Sequence, residues 1–205
     1  MRLLMVGTAL LLVSSARGTS IAGDYVGGGS SNTFADATGY YFTPNVSIDV
    51  VDLGYYSPSG AGLTSLHDVG IFTTGGAELV SGVVPAGTAG TFVAGTVGGT
   101  WTVAVAGTIL SAGTQYYIVA DNEASDGYVF GTGAVTFNSA ITWNGYAQSA
   151  TNSITSATVN NGGVPGDLGP NFQFTTSAVP EPGSAALMLS AAALLLGGRR
   201  FLRKN

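Results

Sequence analysis

Among side chains able to do acid–base or nucleophilic chemistry, this chain of 205 residues offers one histidine, His67, no cysteine, and ten acids between Asp24 and Asp167. A nucleophile with its base has little to be built from, and no G-x-S-x-G elbow is present. Asp68 follows His67, but neighbours on a strand point to opposite faces, so His67 is expected as a structural hydrogen-bonding residue rather than a base or ligand. Zinc would lack nitrogen and sulfur ligands. Calcium needs only oxygen: "ADNEASDG" offers Asp121, Asn122, Glu123 and Asp126 before Gly127. That spacing is one residue off the EF-hand pattern. It makes Asp121, Glu123 and Asp126 the candidate calcium ligands, with an ordinary polar turn as the alternative, and no other cofactor is expected. A glycosidase needs two carboxylates ~5–9 Å apart, and ten acids supply such a pair by chance. The tyrosine doublets at 40–41, 55–56 and 116–117 send one ring to each side of a strand. Tyr41, Tyr56 and Trp143 are therefore the candidates for stacking on sugar rings, against cross-strand packing as the expected role.

The elements that must position these residues read as strands. "VSIDV" sets Val46, Ile48 and Val50 against Ser47 and Asp49; "TWTVAV" puts Trp101, Val103 and Val105 on one side; "QYYIVA" is apolar on both faces, the mark of a central strand. "GYYFT", "DVGIFT", "ELVSGVV", "GYVF", "AITWNGYA" and "NFQFTT" are further candidates, separated by Gly, Pro, Asn and Asp clusters. "VPAGTAGT" reads as a turn connection and "NNGGVPGDLGP" as a long loop before the last strand. No stretch of the middle section has a helical period. The expected fold is all-β: a single antiparallel β-sandwich of jelly-roll type over residues 23–176.

All six Lys and Arg lie at the ends, so residues 18–198 contain none, while the same interval holds all eleven acids. Nucleic-acid binding draws its affinity from cations displacing phosphate counterions, and a middle section without a cation cannot supply that. The loop "GTAGTFVAGTVGG" lacks the lysine of a nucleotide-binding loop. Its glycines are turn residues.

The two ends read as transport segments. "MRLLMVGTALLLVSSARGTSIAG" has a positive start, an apolar core from Leu3 to Val13 and small residues after it, the layout of a secretory signal peptide over residues 1–22. Its ~11 apolar residues fall short of the ~20 that span a bilayer. Cleavage after Ala16, Gly18 or Ala22 fits equally. At the other end, "VPEPGSAALMLSAAALLLGGRRFLRKN" places an apolar stretch after two prolines and before a basic tail. A transmembrane helix is expected at about residues 184–202, with Arg199, Arg200, Arg203 and Lys204 held on the cytoplasmic side and the acidic bulk outside. Pro180 and Pro182 keep the approach extended and open to a protease.

Those last 27 residues resemble the PEP-CTERM sorting signal: a Pro-Glu-Pro motif, a membrane stretch and an Arg-rich end, in that order. The resemblance implies that residues 177–205 are handled by an exosortase, a membrane-embedded processing enzyme of Gram-negative bacteria that make extracellular polysaccharide, with cleavage near Val179, Pro180, Glu181 and Pro182. The middle section, through "GYYFTPNVSIDVVDLGYYSPSGAGLTSLHDVGIF", "ELVSGVVPAGTAGTF", "ILSAGTQYYIVADN" and "GPNFQF", is similar to a β-sandwich domain of unknown function that recurs among PEP-CTERM proteins. Members often carry an acidic Asp-Gly loop where this chain has "SPSGAGL".

The expected function is non-catalytic: an exported cell-surface or extracellular-matrix protein, anchored for a time in the inner membrane and associated with polysaccharide. Its expected partners are the translocon, signal peptidase and an exosortase. The alternative is an extracellular glycan hydrolase working through paired carboxylates.

Overall fold

The computed structural model describes residues 18–32, 36–121, 126–149, 151–156, 158–160 and 168–176. The signal segment before residue 18, Glu123, Val179 to Pro182, the transmembrane segment and the basic tail lie outside the described residues.

Fifteen strands are found among them: β1 (Ser20–Ile21), β2 (Gly23–Tyr25), β3 (Ser30–Asn32), β4 (Thr38–Pro44), β5 (Ile48–Ser57), β6 (His67–Thr73), β7 (Glu78–Val84), β8 (Thr91–Ala94), β9 (Gly99–Leu110), β10 (Tyr116–Ala120), β11 (Tyr128–Phe130), β12 (Val135–Phe137), β13 (Ile141–Gln148), β14 (Thr158–Asn160) and β15 (Pro170–Thr176). The only helical piece among the described residues is a 3₁₀ turn, Ile154–Ser156. A five-stranded sheet in the order β1-β15-β5-β9-β8 and a six-stranded sheet in the order β14-β13-β4-β10-β6-β7 form an antiparallel sandwich, with two-stranded ribbons β11-β3 and β12-β2 beside it.

Alternation of side chains explains which face each strand buries. Ile48 and Val50 of β5 are fully buried, while Asp49 between them is half-buried. Val46, expected on the same strand, precedes it and is exposed. Phe42 from one sheet meets Phe172 from the other with ring centroids 5.0 Å apart, and Leu53, Ile71, Ile118 and Phe174 fill the same core. A second apolar cluster covers the far face of the six-stranded sheet: Tyr41, Phe72, Tyr117 and Val119, with Ile154 of the 3₁₀ turn packed on it. This is why β10, apolar on both faces, lies between β4 and β6.

The N-terminal boundary differs from the sequence reading. β1 pairs Ser20 and Ile21 with Phe174 and Gln173 of β15, Ala22 is fully buried, and its N–H donates to the carbonyl of Phe172 at 3.0 Å. The folded unit therefore begins before residue 23, and a break after Ala22 would cut through it.

One core residue is imperfectly matched to its surroundings. Tyr40, fully buried and edge-on to Phe42 and Phe137, has a hydroxyl with no hydrogen-bond partner, and burial drives its pKa far up. An unsatisfied buried hydroxyl costs ~1–3 kcal/mol. Tyr40→Phe is accordingly expected to stabilise the fold by ~1 kcal/mol, read as a higher urea midpoint with an unchanged slope.

Candidate functional site

His67, the first residue of β6, is fully buried. Its ring lies flat on that of Tyr55 from the opposite sheet, with centroids 3.7 Å apart and planes 6° from parallel. Nδ1 is 2.9 Å from the backbone carbonyl oxygen of Asp121, and Nε2 is 3.1 Å from Oδ2 of Asp126. The two carboxylates come from the end of β10 and the start of the segment into β11.

The hydrogen-bond partners favour the doubly protonated ring. A carbonyl oxygen only accepts, so Nδ1 carries a proton. The Asp126 carboxylate already accepts the N–H groups of Thr64 at 2.8 Å and Ser65 at 2.8 Å, which favours its ionised form, so Nε2 carries a proton as well. Below its raised pKa the ring is an imidazolium, donating from both nitrogens. Burial alone would lower its pKa, but the hydrogen bonds to Asp121 and Asp126 outweigh that and raise it. For Asp126, burial would raise the pKa; the N–H groups of Thr64 and Ser65 and the His67 ring together hold it below the usual carboxylate range. Tyr55 is pushed well up by burial and by the negative charge of Asp126 and Asp121.

Asp121 is tied further into β6: its Oδ1 accepts the N–H of Asp68 at 2.8 Å and lies 3.5 Å from His67 Nδ1. No residue from 18 to 198 is Lys or Arg, so His67 supplies the only cationic side chain of that interval. When both ring nitrogens are protonated, His67 keeps no lone pair to act as a base or to bind a metal.

Two of the three candidate calcium ligands are brought together around the same ring. Asp121 and Asp126 converge on the His67 ring, with Oδ1 of Asp121 3.5 Å from Nδ1 and Oδ2 of Asp126 3.1 Å from Nε2. Among the described residues no group of three His, Cys, Asp or Glu is arranged to hold a metal; Glu123 lies outside those residues.

The stacking candidates separate. Tyr41 is 3% exposed and packs against Tyr117 at 5.1 Å; Tyr56 is 2% exposed, packs edge-on to Tyr25 at 5.7 Å and donates its hydroxyl to the Val97 carbonyl at 2.9 Å. Burial, with Tyr25 and Asp24 adding, pushes the Tyr56 phenol to about 12. Neither ring presents a face to a ligand, because each is covered by its own neighbours. Trp143 keeps part of its ring exposed while its body packs on the core.

For the paired-carboxylate alternative, β5 places two acids on one face. Its register against β15 shifts between Val50 and Asp52, so one extra residue puts Asp49 and Asp52 on the outer side of the five-stranded sheet, opposite Leu53 and Tyr55. Burial raises the Asp52 pKa, and one Asp49 carboxylate oxygen is buried without a hydrogen-bond partner. The only sequence signal for this pair was their spacing of three along a strand, which without the bulge would put them on opposite faces.

No family model and no curated protein matches the chain. Among solved structures, the infectious bursal disease virus VP2 subviral particle is similar at 12% identity over 85% of this chain. The TM-score is 0.21, and the chain spans 42% of that structure's length; a likeness this slight carries no inference about fold or activity.

Proposed function

We propose that the chain is an exported, non-catalytic cell-surface or extracellular-matrix protein of the PEP-CTERM type, with a jelly-roll ectodomain delivered by a signal peptide and sorted by an exosortase. The sheet orders β1-β15-β5-β9 and β4-β10-β6-β7 fit a jelly roll, whose two four-stranded sheets interleave two Greek keys. The observation that carries the non-catalytic reading is the setting of His67: both nitrogens of the one histidine face acceptor oxygens, the Asp121 carbonyl and the Asp126 carboxylate, inside the sandwich. The segregation of every Lys and Arg to the two ends supports export and temporary anchoring. Cleavage after Ala16 or Gly18 keeps β1 intact. Extracellular polysaccharide is the ligand class this reading favours, with Trp143 as the remaining stacking candidate.

Mass spectrometry of the mature protein from an exosortase-bearing host tests it. A product beginning between residues 17 and 19 and ending near Val179 to Pro182 is expected, and a variant lacking residues 199–205 should retain its C-terminal segment. An intact cytosolic chain in both cases rejects the reading.

The second reading, a glycan hydrolase, is favoured by Asp49 and Asp52 on one sheet face with the Asp52 pKa raised by burial. Reducing-sugar release that is lost in Asp52→Asn would establish it over the first.

A further inference from the structure

We infer that β7 is a self-pairing edge: two copies of this chain join antiparallel along it, centred on Ser81, so that their six-stranded sheets run together as one.

A sheet edge presents unpaired N–H and C=O groups to any strand that comes alongside, and folds blunt such edges by shortening, bulging or charging them. Three of the four outermost strands of the sandwich are short: β1 has two residues, β14 three and β8 four. β9 and β13 run on past β8 and β14, but each carries a register shift in that stretch. β7 is different. It has seven residues, and β6 is the only strand that pairs with it among the described residues. From Val80 to Val84 the two match residue for residue, the one shift falling before Val80, at the start of the strand.

Alternation turns Val80, Gly82 and Val84 toward the core and Leu79, Ser81 and Val83 outward. Leu79 is 39% exposed and Val83 52%, so the outward row is apolar on either side of a serine. An antiparallel copy centred on Ser81 sets each Leu79 against the Val83 of the second strand and the two serines side by side. The row is its own complement, as a two-fold contact requires.

Charge identifies the occupant. Residues 79–120 contain no Asp, Glu, Lys, Arg or His, whereas ten acids lie elsewhere between Asp24 and Asp167 and no Lys or Arg lies between residues 18 and 198. Two copies repel wherever their acids meet, and β7 lets them touch without such a meeting. Glu78 accepts the Ser81 hydroxyl at 2.7 Å and falls at opposite ends of the joined strands. Asp68, across from Val83 on β6, stays one strand back from the seam. A basic partner would be drawn to the acids elsewhere and an acidic one repelled by them. What fits is an uncharged strand with the same apolar row, and this chain carries one.

The chain has no cysteine, so one introduced thiol reports one contact. Opposed residues of an antiparallel pair stand ~4.5–5.5 Å apart at Cα, within reach of a disulfide. In the full-length protein in mild detergent, Ser81→Cys is expected to oxidise to a linked dimer. Ile109→Cys, at a site 70% exposed on the other sheet, should remain a monomer. Sedimentation of the unmodified protein should show a reversible monomer–dimer equilibrium that closes at two copies. Val83→Lys places a charge in the seam twice and should raise the dissociation constant about tenfold, while Ile109→Lys should leave it unchanged. A monomer at every concentration, which would leave the edge to some other partner, overturns the inference. So does assembly beyond the dimer, equal cross-linking at positions 81 and 109, or a dimer indifferent to Val83→Lys and hence held by another face or by the terminal segments.

Discussion

Asp126→Ala is expected to cost about 3–5 kcal/mol of folding stability, the range found when one partner of a buried ion pair is removed. The substitution strips the His67 ring of its Nε2 acceptor and frees the N–H groups of Thr64 and Ser65 in one step. Urea unfolding at about pH 6 would show the loss, and a drop under ~1 kcal/mol would mean the ring is not an imidazolium in the folded state. The size of the effect should depend on pH. The folded-state pKa of His67 is raised, so its contribution is complete below ~6.5 and disappears as pH climbs through the raised value. The folded-state pKa of Asp126 is lowered, so its contribution is complete above ~3.9 and disappears as pH falls through the lowered value. The unmodified protein should thus be most stable between about pH 4 and 6.5, and Asp126→Ala should flatten the alkaline side of that profile.

Gly39→Ala is expected to be nearly as damaging by a different route. A Cβ at Gly39 would collide with the carbonyl oxygen of Ile118 and come within 2.8 Å of the Val119 Cα. Both are backbone atoms of β10, the strand that β4 pairs with and that is buried on both faces. Neither can turn aside as a flexible side chain would, so the pairing itself must part. A loss of about 3 kcal/mol, at the upper end of ordinary overpacking costs, should appear as a lowered melting temperature. A shift within error would mean that β4 and β10 pair less closely than described.

The residues explain which parts of this architecture were readable. β10 declared itself central because Tyr116, Ile118 and Ala120 alternate with Tyr117 and Val119 and all five are apolar. Trp101, Val103 and Val105 declared one face of β9, and they do pack on the core. Period-2 patterning is local, and local order was legible. The short strands β2, β3 and β12 were missed because such three-residue pieces carry too few alternations to register, whereas β11 was legible in "GYVF". The doublets at 40–41 and 116–117 raised the question of outward tyrosines; the answer depended on the cover supplied by Ile154, a residue far along the chain. His67 and Asp126 are 59 residues apart, and no spacing rule joins a strand's first residue to a turn that distant. The same acids at 121 and 126 did stand out as oxygen ligands; what the sequence did not display is that both face the His67 ring.

The seam between the N-terminal strands β1 and β2 and the last strand β15 constrains the order in which the molecule can complete itself. Asn171 donates its side-chain amide to the Gly23 carbonyl at 2.8 Å and receives the Gly23 N–H at 3.2 Å, across 148 positions. A polypeptide emerging from a ribosome or pore with its amino end leading must wait for its last strand before its first can be seated. Such far-separated closure is slow, and until it happens the sandwich stands open along that margin, in need of shelter from neighbouring chains.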